Sequence, residues 1–213
     1  MYCPCGRFGN AGVTYLDCRH CGSYLSARTV TYDDTYWATR GTLEGHAALV
    51  KSDRLEWWRE HIKPYLRSMS RVLEIGCAPG VLMESLASDG HIVRGIDPTM
   101  PATNTVLKGS FPDTSWDMNF DAVIMFDVLE HLDDPKAALR KAKQLLTHEH
   151  GFLILQVPTI RDSKPPDRFF AEGEHTWIPT QKALNDVLEA CGFEIISDTT
   201  AWCPGHEVTV ARG

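Results

Sequence analysis

From Arg71 onward the chain alternates short apolar runs with stretches of helical period, and this alternation restricts the fold more than any other feature. The runs are Val72–Ile75, Ile92–Ile96, Thr105–Leu107, Ala122–Phe126, Phe152–Val157, Glu194–Ile196 and Val208–Val210. Strands rich in branched residues, separated by helices, cannot bury both faces unless the helices cover them, so the spacing predicts a mostly parallel α/β sheet with helices on both sides. Between the runs, Val81, Leu82, Leu86 and Ala87 share one helical face. Asp134-Pro135 offers an N-cap followed by proline at the first helical position, before Ala138, Ala142 and Leu145. A third helix is expected over Gln181 to Ala190, capped by Thr180 and stopped at Gly192.

The first strand runs directly into Glu74-Ile75-Gly76-Cys77-Ala78-Pro79-Gly80. Small residues at 76, 78 and 80 let the backbone approach a ligand at the carboxyl edge of the sheet. The spacing departs from the Gly-x-Gly-x-x-Gly of dinucleotide sites, so no pyrophosphate grip is expected. The second strand ends in Gly95-Ile96-Asp97, and a carboxylate placed there accepts hydrogen bonds from both hydroxyls of a ribose. A ribose-bearing ligand follows.

At these residues the sequence resembles the class I S-adenosylmethionine-dependent methyltransferases, over roughly Arg71 to Gly213. Val72 to Gly80 is similar to the first motif of that family, with Ala78 where glycine is usual. The segment from Phe120 to Leu132 resembles the fourth-strand pattern of ubiquinone-pathway and related small-molecule enzymes. The resemblance implies a Rossmann-like sheet of seven strands whose last two form a hairpin. It also implies a cofactor role for each matching position. Gly76, Cys77, Ala78 and Gly80 would lie under the methionine part, and Glu74 would order that loop or meet the amino group. Asp97, with Pro98, would hold the ribose. Ser110 and Phe111 would stand at the adenine, where the family often has an acid instead of serine. Phe126 and Asp127 would face the methionine end and the acceptor.

Methyl transfer from a sulfonium removes positive charge, so positioning in a dry pocket does most of the work and a general base is optional. For a hydroxyl acceptor the candidates for a proton-accepting group are His131, His175 and Asp127. His131 also reads as a helix-entry packing residue. His175 lies in Gly173 to Trp177, a stretch that resembles the acceptor-side loop of quinone-pathway enzymes, with Phe169 and Phe170 nearby in sequence. The acidic run Asp127, Glu130, Asp133 and Asp134 reads as a solvated helix entry, and no catalytic metal is expected.

Ahead of this domain, Cys3, Cys5, Cys18 and Cys21 form Cys-x-Cys, twelve residues, then Cys-x2-Cys. Four thiolates on two tight turns suit a structural zinc ion in a small ribbon, with Gly6 and Gly22 easing the turns and Thr14 to Leu16 as a short strand. The first pair is one residue shorter than usual, which leaves His20 as an alternative ligand. Such a segment is too short to bury a core without a staple. Cys77, Cys191 and Cys203 read as packing or surface thiols. The ribbon is assigned to 1–27, a linking helical region to 28–68 and the methyltransferase domain to 69–213. In the linker, Leu55, Trp58, Ile62 and Leu66 mark one helix face, interrupted near His61 to Lys63 by Pro64. Tyr32, Tyr36 and Trp37 are candidates for covering a ligand pocket, although plain packing explains them too.

The net charge of −7 disfavours phosphate backbones, so the expected partner is a small-molecule acceptor, a sugar or a phenolic or quinone-type metabolite. Two rivals remain: RNA base methylation aided by a basic stripe at Arg19, His20, Arg28 and Arg40, and a cofactor-binding scaffold without activity. The longest apolar run, five residues from Ala122 to Phe126, is far below the roughly 20 a spanning helix requires. With no basic, apolar start, a cytoplasmic setting with reduced thiols is the expectation.

Overall fold

A computed structural model describes residues 3–5, 10–11, 16–26, 30–33, 35–147, 150–160, 173–200 and 206–213. Gly6, Thr14, Tyr15, Arg28, Phe169, Phe170 and Cys203 lie outside the described residues. The central sheet has seven strands, β4 (Arg71–Ile75), β5 (Ile92–Asp97), β6 (Val106–Lys108), β7 (Ala122–Phe126), β8 (Phe152–Pro158), β10 (Glu194–Thr200) and β11 (His206–Arg212). Their spatial order is β10-β11-β8-β7-β4-β5-β6. The pairs β4 with β5, β4 with β7, β5 with β6 and β7 with β8 are parallel, whereas β11 runs antiparallel to both β8 and β10. All seven strands and the closing hairpin therefore agree with the sequence reading. The sheet order reverses at β4, and the loops leaving β4, β5 and β7 open into the crevice that such a switch point creates.

Alternation along each strand divides the core into two layers. Leu73, Ile75, Val123, Met125, Leu153 and Leu155 join one buried cluster with α5 (Pro135–Leu145) and α6 (Gln181–Ala190). Val72, Ala122, Ile124 and Ile154 join the other, with α3 (Leu55–Ile62) and α4 (Val81–Ser88). Both expected caps form: Asp134 accepts from the Ala137 amide at 2.9 Å, and Thr180 from the Ala183 amide at 3.1 Å. Gly192, at φ 87°, follows α6 as its stop.

The linker holds more helix than the sequence reading found. Besides α3 it contains α1 (Tyr36–Arg40) and α2 (Leu43–Asp53), the latter capped by Thr42, whose side chain accepts from the Gly45 amide. Pro64 sits in a 3-10 turn over Lys63–Tyr65 that closes α3, as its ring requires. Helix α3 thus ends within the expected stretch, and Leu66 beyond it is extended while still packing with the same cluster.

Short strands β1 (Asn10–Ala11), β2 (Leu16–Asp17) and β3 (Tyr24–Leu25) make a second sheet whose fourth member is β9 (Trp177–Ile178), in the order β1-β2-β3-β9. The cysteine segment thus shares a sheet with a strand from the far end of the chain. Cys3, Cys18 and Leu25 are buried in the same cluster as α5 and α6.

Candidate active site

At Gly76 the chain leaves β4 with φ 71°, a conformation L side chains rarely adopt. A methyl carbon there would stand 2.3 Å from Cγ2 of Val128, so glycine is required on two grounds. The Gly76 amide donates to the Ile96 carbonyl at 2.9 Å, which ties the turn to β5. Cys77 directs its thiol at Gly95, where an added Cβ would meet that sulfur at 2.6 Å. It is buried in the core cluster as a small packing residue and also lines the crevice. Gly80, at φ 88°, opens α4.

A cavity of about 1270 Å³ lies over this turn. Of the residues expected at the cofactor, Glu74, Gly76, Cys77, Ala78, Asp97, Pro98, Ser110, Phe111, Phe126 and Asp127 line it; Gly80 does not. Asp97 is buried, with one oxygen accepting from the Ala78 amide at 3.2 Å. The other oxygen accepts from the amide and hydroxyl of Thr99 at 2.7 and 2.6 Å. Thr99 in turn accepts from the Trp37 indole at 3.0 Å. These bonds fix the orientation of the carboxylate, and the lone pairs left over are what a ribose can use. Glu74 is buried beside it, and its Oε2 has no hydrogen-bond partner. Burial, followed by the charge on Asp97, pushes its carboxyl well above the ordinary range.

The other end of the cavity belongs to the linker and the β7 loop. Tyr32, Tyr36 and Trp37 line it in a run of tilted and edge-on ring contacts, with centroids 5.0 and 5.1 Å apart. Asp127 holds a left-handed φ of 54°, and Gln156 donates to its Oδ1 at 2.9 Å. Gln156 itself accepts from the Trp58 indole at 3.0 Å, and Arg54 stands 3.6 Å from the second Asp127 oxygen. Burial and the nearby Arg54 hold His46 below the usual imidazole range. His131 ends a 3-10 turn over Leu129–His131, with Nδ1 2.7 Å from the Tyr32 hydroxyl and Nε2 3.8 Å from Glu130. The His175 ring meets it edge-on at 4.7 Å; His175 itself does not line the cavity, whereas the neighbouring Glu174 does. Glu130 is buried, and burial followed by the charge on Asp127 raises its carboxyl well above the ordinary range.

A family profile described as a methyltransferase domain matches residues 37–198, three quarters of the chain. The chain belongs to the methyltransferase-domain family. The match starts inside the linker, in keeping with the share that Trp37, Arg54 and Trp58 take in the cavity. A ubiquinone biosynthesis O-methyltransferase of Pasteurella multocida (strain Pm70) is 31% identical over 100 residues, covering 36% of this chain and 41% of that protein. A tRNA U34 carboxymethyltransferase of Hydrogenovibrio crunogenus is 27% identical over 165 residues, covering 65% and 49% respectively. The chain thus spans under half the length of the curated relatives it matches. The fold is shared with the 1,6-didemethyltoxoflavin-N1-methyltransferase of Burkholderia thailandensis, solved with its substrate and S-adenosylhomocysteine. There the TM-score is 0.63 at 13% identity, covering 95% of this chain and 99% of that one.

Sequence reasoning missed Arg54, His46, Gln156 and Glu174. Arg54 joins two helices and Gln156 sits in an apolar strand, so neither stands in a recognisable motif. Gln156 does carry a signal: a lone amide in the buried run Phe152–Pro158 has to find partners.

At the amino end the four cysteines converge, with their sulfurs all within 4.8 Å of one another. Cys3 and Cys21 are 3.6 Å apart, Cys5 and Cys18 3.5 Å. His20 is exposed and is not part of the group. Among the described residues, no helix is long and apolar enough to cross a membrane.

Proposed function

We propose that this chain transfers a methyl group from S-adenosylmethionine to a small-molecule acceptor, a sugar or a phenolic or quinone-type hydroxyl or carbon. The observation that carries the reading is Glu74: a buried carboxyl oxygen without a partner, facing a cavity floored by a turn that only glycine can make. An ammonium group is the partner such an oxygen lacks. Asp97 on the adjacent strand suits ribose hydroxyls, and Pro98, Ser110 and Phe111 offer a slot for a base. When bound, the cofactor supplies an electrophilic methyl group on a sulfonium.

The residues of the chain do the rest. Gly76 and Ala78 bring the backbone beneath the ligand, and Phe126 against Trp58, centroids 5.0 Å apart, keeps water from the reacting end. Asp127, held by Gln156 and Arg54, orients groups at the boundary between cofactor and acceptor. His131, which lines the cavity, takes the proton of a hydroxyl acceptor, with the His175 ring packed against it.

The acceptor reading rests on charge. Among the described residues the cavity wall carries six acidic side chains besides the raised Glu74, namely Asp97, Asp113, Asp127, Asp133, Asp134 and Glu174, against one arginine, Arg54. Phosphate-rich RNA meets repulsion there, while a compact neutral or cationic acceptor between aromatic rings does not.

The cysteine group fits zinc. Tetrahedral thiolates at about 2.3 Å from an ion lie about 3.8 Å apart, close to the spacings seen, and four thiolates leave no position open for chemistry. The ion's part is to hold the ribbon together, in a reducing compartment such as the cytoplasm.

Calorimetric titration with S-adenosylhomocysteine tests the core of this reading. Binding by the wild-type chain, weakened at least tenfold in Glu74→Gln, is expected; equal binding by the two would overturn the assignment of Glu74.

A further inference from the structure

The ribbon does not hang beside the domain. Its strand β3 pairs antiparallel with β9, Tyr24 opposite Ile178 and Leu25 opposite Trp177, and the ladder continues through the Ser26 amide to the Thr176 carbonyl at 3.0 Å. At the other end of β9, the Thr180 hydroxyl donates to the carbonyl of Cys21 at 3.0 Å. Both ends of that two-residue strand are therefore fastened to the cysteine segment.

What β9 holds is the histidine pair. The Thr176 amide donates to the Glu130 carbonyl at 2.7 Å, and its hydroxyl is shared between the carbonyls of Glu130, at 3.0 Å, and Leu132, at 2.8 Å. Those two carbonyls flank His131 in the chain. Residue 175, immediately before Thr176, carries the imidazole that meets His131 edge-on at 4.7 Å. The chain leaving β3 then returns to place the Tyr32 hydroxyl 2.7 Å from His131. The bonds that fix the cofactor end come from elsewhere: Gly76 is tied to Ile96, and Asp97 to Ala78 and Thr99.

We infer that Thr176 is a positioning residue through which the cysteine ribbon sets the geometry of His131 and His175. Metal occupancy of the ribbon then controls the acceptor end of the cavity and leaves the cofactor end unchanged. The inference rests on the reading of the two histidines as the acceptor side of the site.

The test uses the full chain loaded with zinc, together with Thr176→Val, Thr176→Ser and the wild-type protein treated with a chelator. Ring resonances of His131 and His175, assigned with His131→Gln and His175→Gln, report geometry, and amide exchange at 130–132 reports local opening. S-adenosylhomocysteine affinity reports the cofactor end. Thr176→Val is expected to move both ring resonances and to speed exchange about tenfold, and Thr176→Ser, which keeps the hydroxyl, to restore both. Chelation should reproduce the ring shifts of Thr176→Val, with the affinity changed by less than about twofold in every case. Unmoved rings in the chelated protein overturn the coupling, as does a serine variant no better than valine. So does a chelated protein that no longer binds S-adenosylhomocysteine, because the ribbon then supports the whole core. If Thr176→Val does not fold, the chelation arm and the serine variant decide. Failure of the untreated wild type to bind S-adenosylhomocysteine would instead sink the cofactor reading, and the ring shifts would still answer the question of coupling.

Discussion

The hydroxyl of Tyr32 lies 2.7 Å from Nδ1 of His131, across 99 positions of sequence, and joins the linker to the loop after β7. The hydroxyl can donate to this nitrogen or accept from it, so the contact fixes the orientation of the ring and leaves Nε2 beside Glu130. Tyr32→Phe removes that restraint and keeps the ring that packs against Tyr36. The expected loss of stability is about 0.5–1.5 kcal/mol in urea unfolding, with S-adenosylhomocysteine affinity unchanged. Ring nitrogen shifts of His131 should move once the hydroxyl is gone. A variant with native ring shifts would show that the hydroxyl does not orient this histidine.

Glu74 makes the stability of the free protein depend on pH. Its carboxyl is raised above the ordinary value of 4.5, by burial and then by Asp97, so the folded chain keeps a proton that the unfolded chain releases above that pH. The stability belonging to the protonated form is complete below pH 4.5 and is lost as the pH climbs through the raised folded value. Glu74→Gln keeps the shape, can still accept from the Met83 amide and has no proton to release. Its melting temperature should therefore fall less steeply above pH 4.5 than that of the wild type. Glu130, raised by burial and then by Asp127, has the same sign and leaves a residual slope, which Glu130→Gln should reduce in turn. Parallel melting curves for wild type and Glu74→Gln would mean that Glu74 is charged in the free protein.

Gly76→Ala meets two separate penalties. The left-handed φ costs an alanine about 1–2 kcal/mol, and the collision with Val128 at 2.3 Å adds to it. Combining it with Val128→Ala removes the offending methyl group and leaves the φ penalty, so the double variant should recover part of the stability lost. Chemical unfolding of the two single variants and the double one measures the coupling. Strict additivity would show that the turn moves away and the collision never occurs.

The sheet was legible because strand and helix periods are local: each buried run of β4, β5, β7 and β8 announces itself within a few residues. The turn after β4 was equally legible, since it is one short segment of small residues. What escaped is built from pairs distant in sequence. Gln156 bonds Trp58 from 98 positions away, and Thr176 grips carbonyls 44 and 46 positions upstream. Helix α2 escaped for a different reason: of its apolar side chains only Val50 is fully buried, so its amphipathic period is weak. The fastening of the ribbon to β9 had no local mark, because two-residue strands carry no period to read.

Asp97 shows how such bonds change a mutational forecast. From sequence alone, Asp97→Ala removes only ribose contacts. In the structure the same carboxylate accepts from the Ala78 amide and from both donors of Thr99, all at a buried position. Alanine therefore leaves loop donors unpaired and lowers stability by about 1–3 kcal/mol, in addition to weakening S-adenosylhomocysteine tenfold or more. Thr99→Val separates the two effects, because it takes away the hydroxyl's bonds to Asp97 and to the Trp37 indole and leaves the carboxylate in place. It should lower the melting temperature and change the calorimetric affinity little. If Thr99→Val weakens the ligand as much as Asp97→Ala does, Asp97 shapes the loop and does not itself meet the ribose.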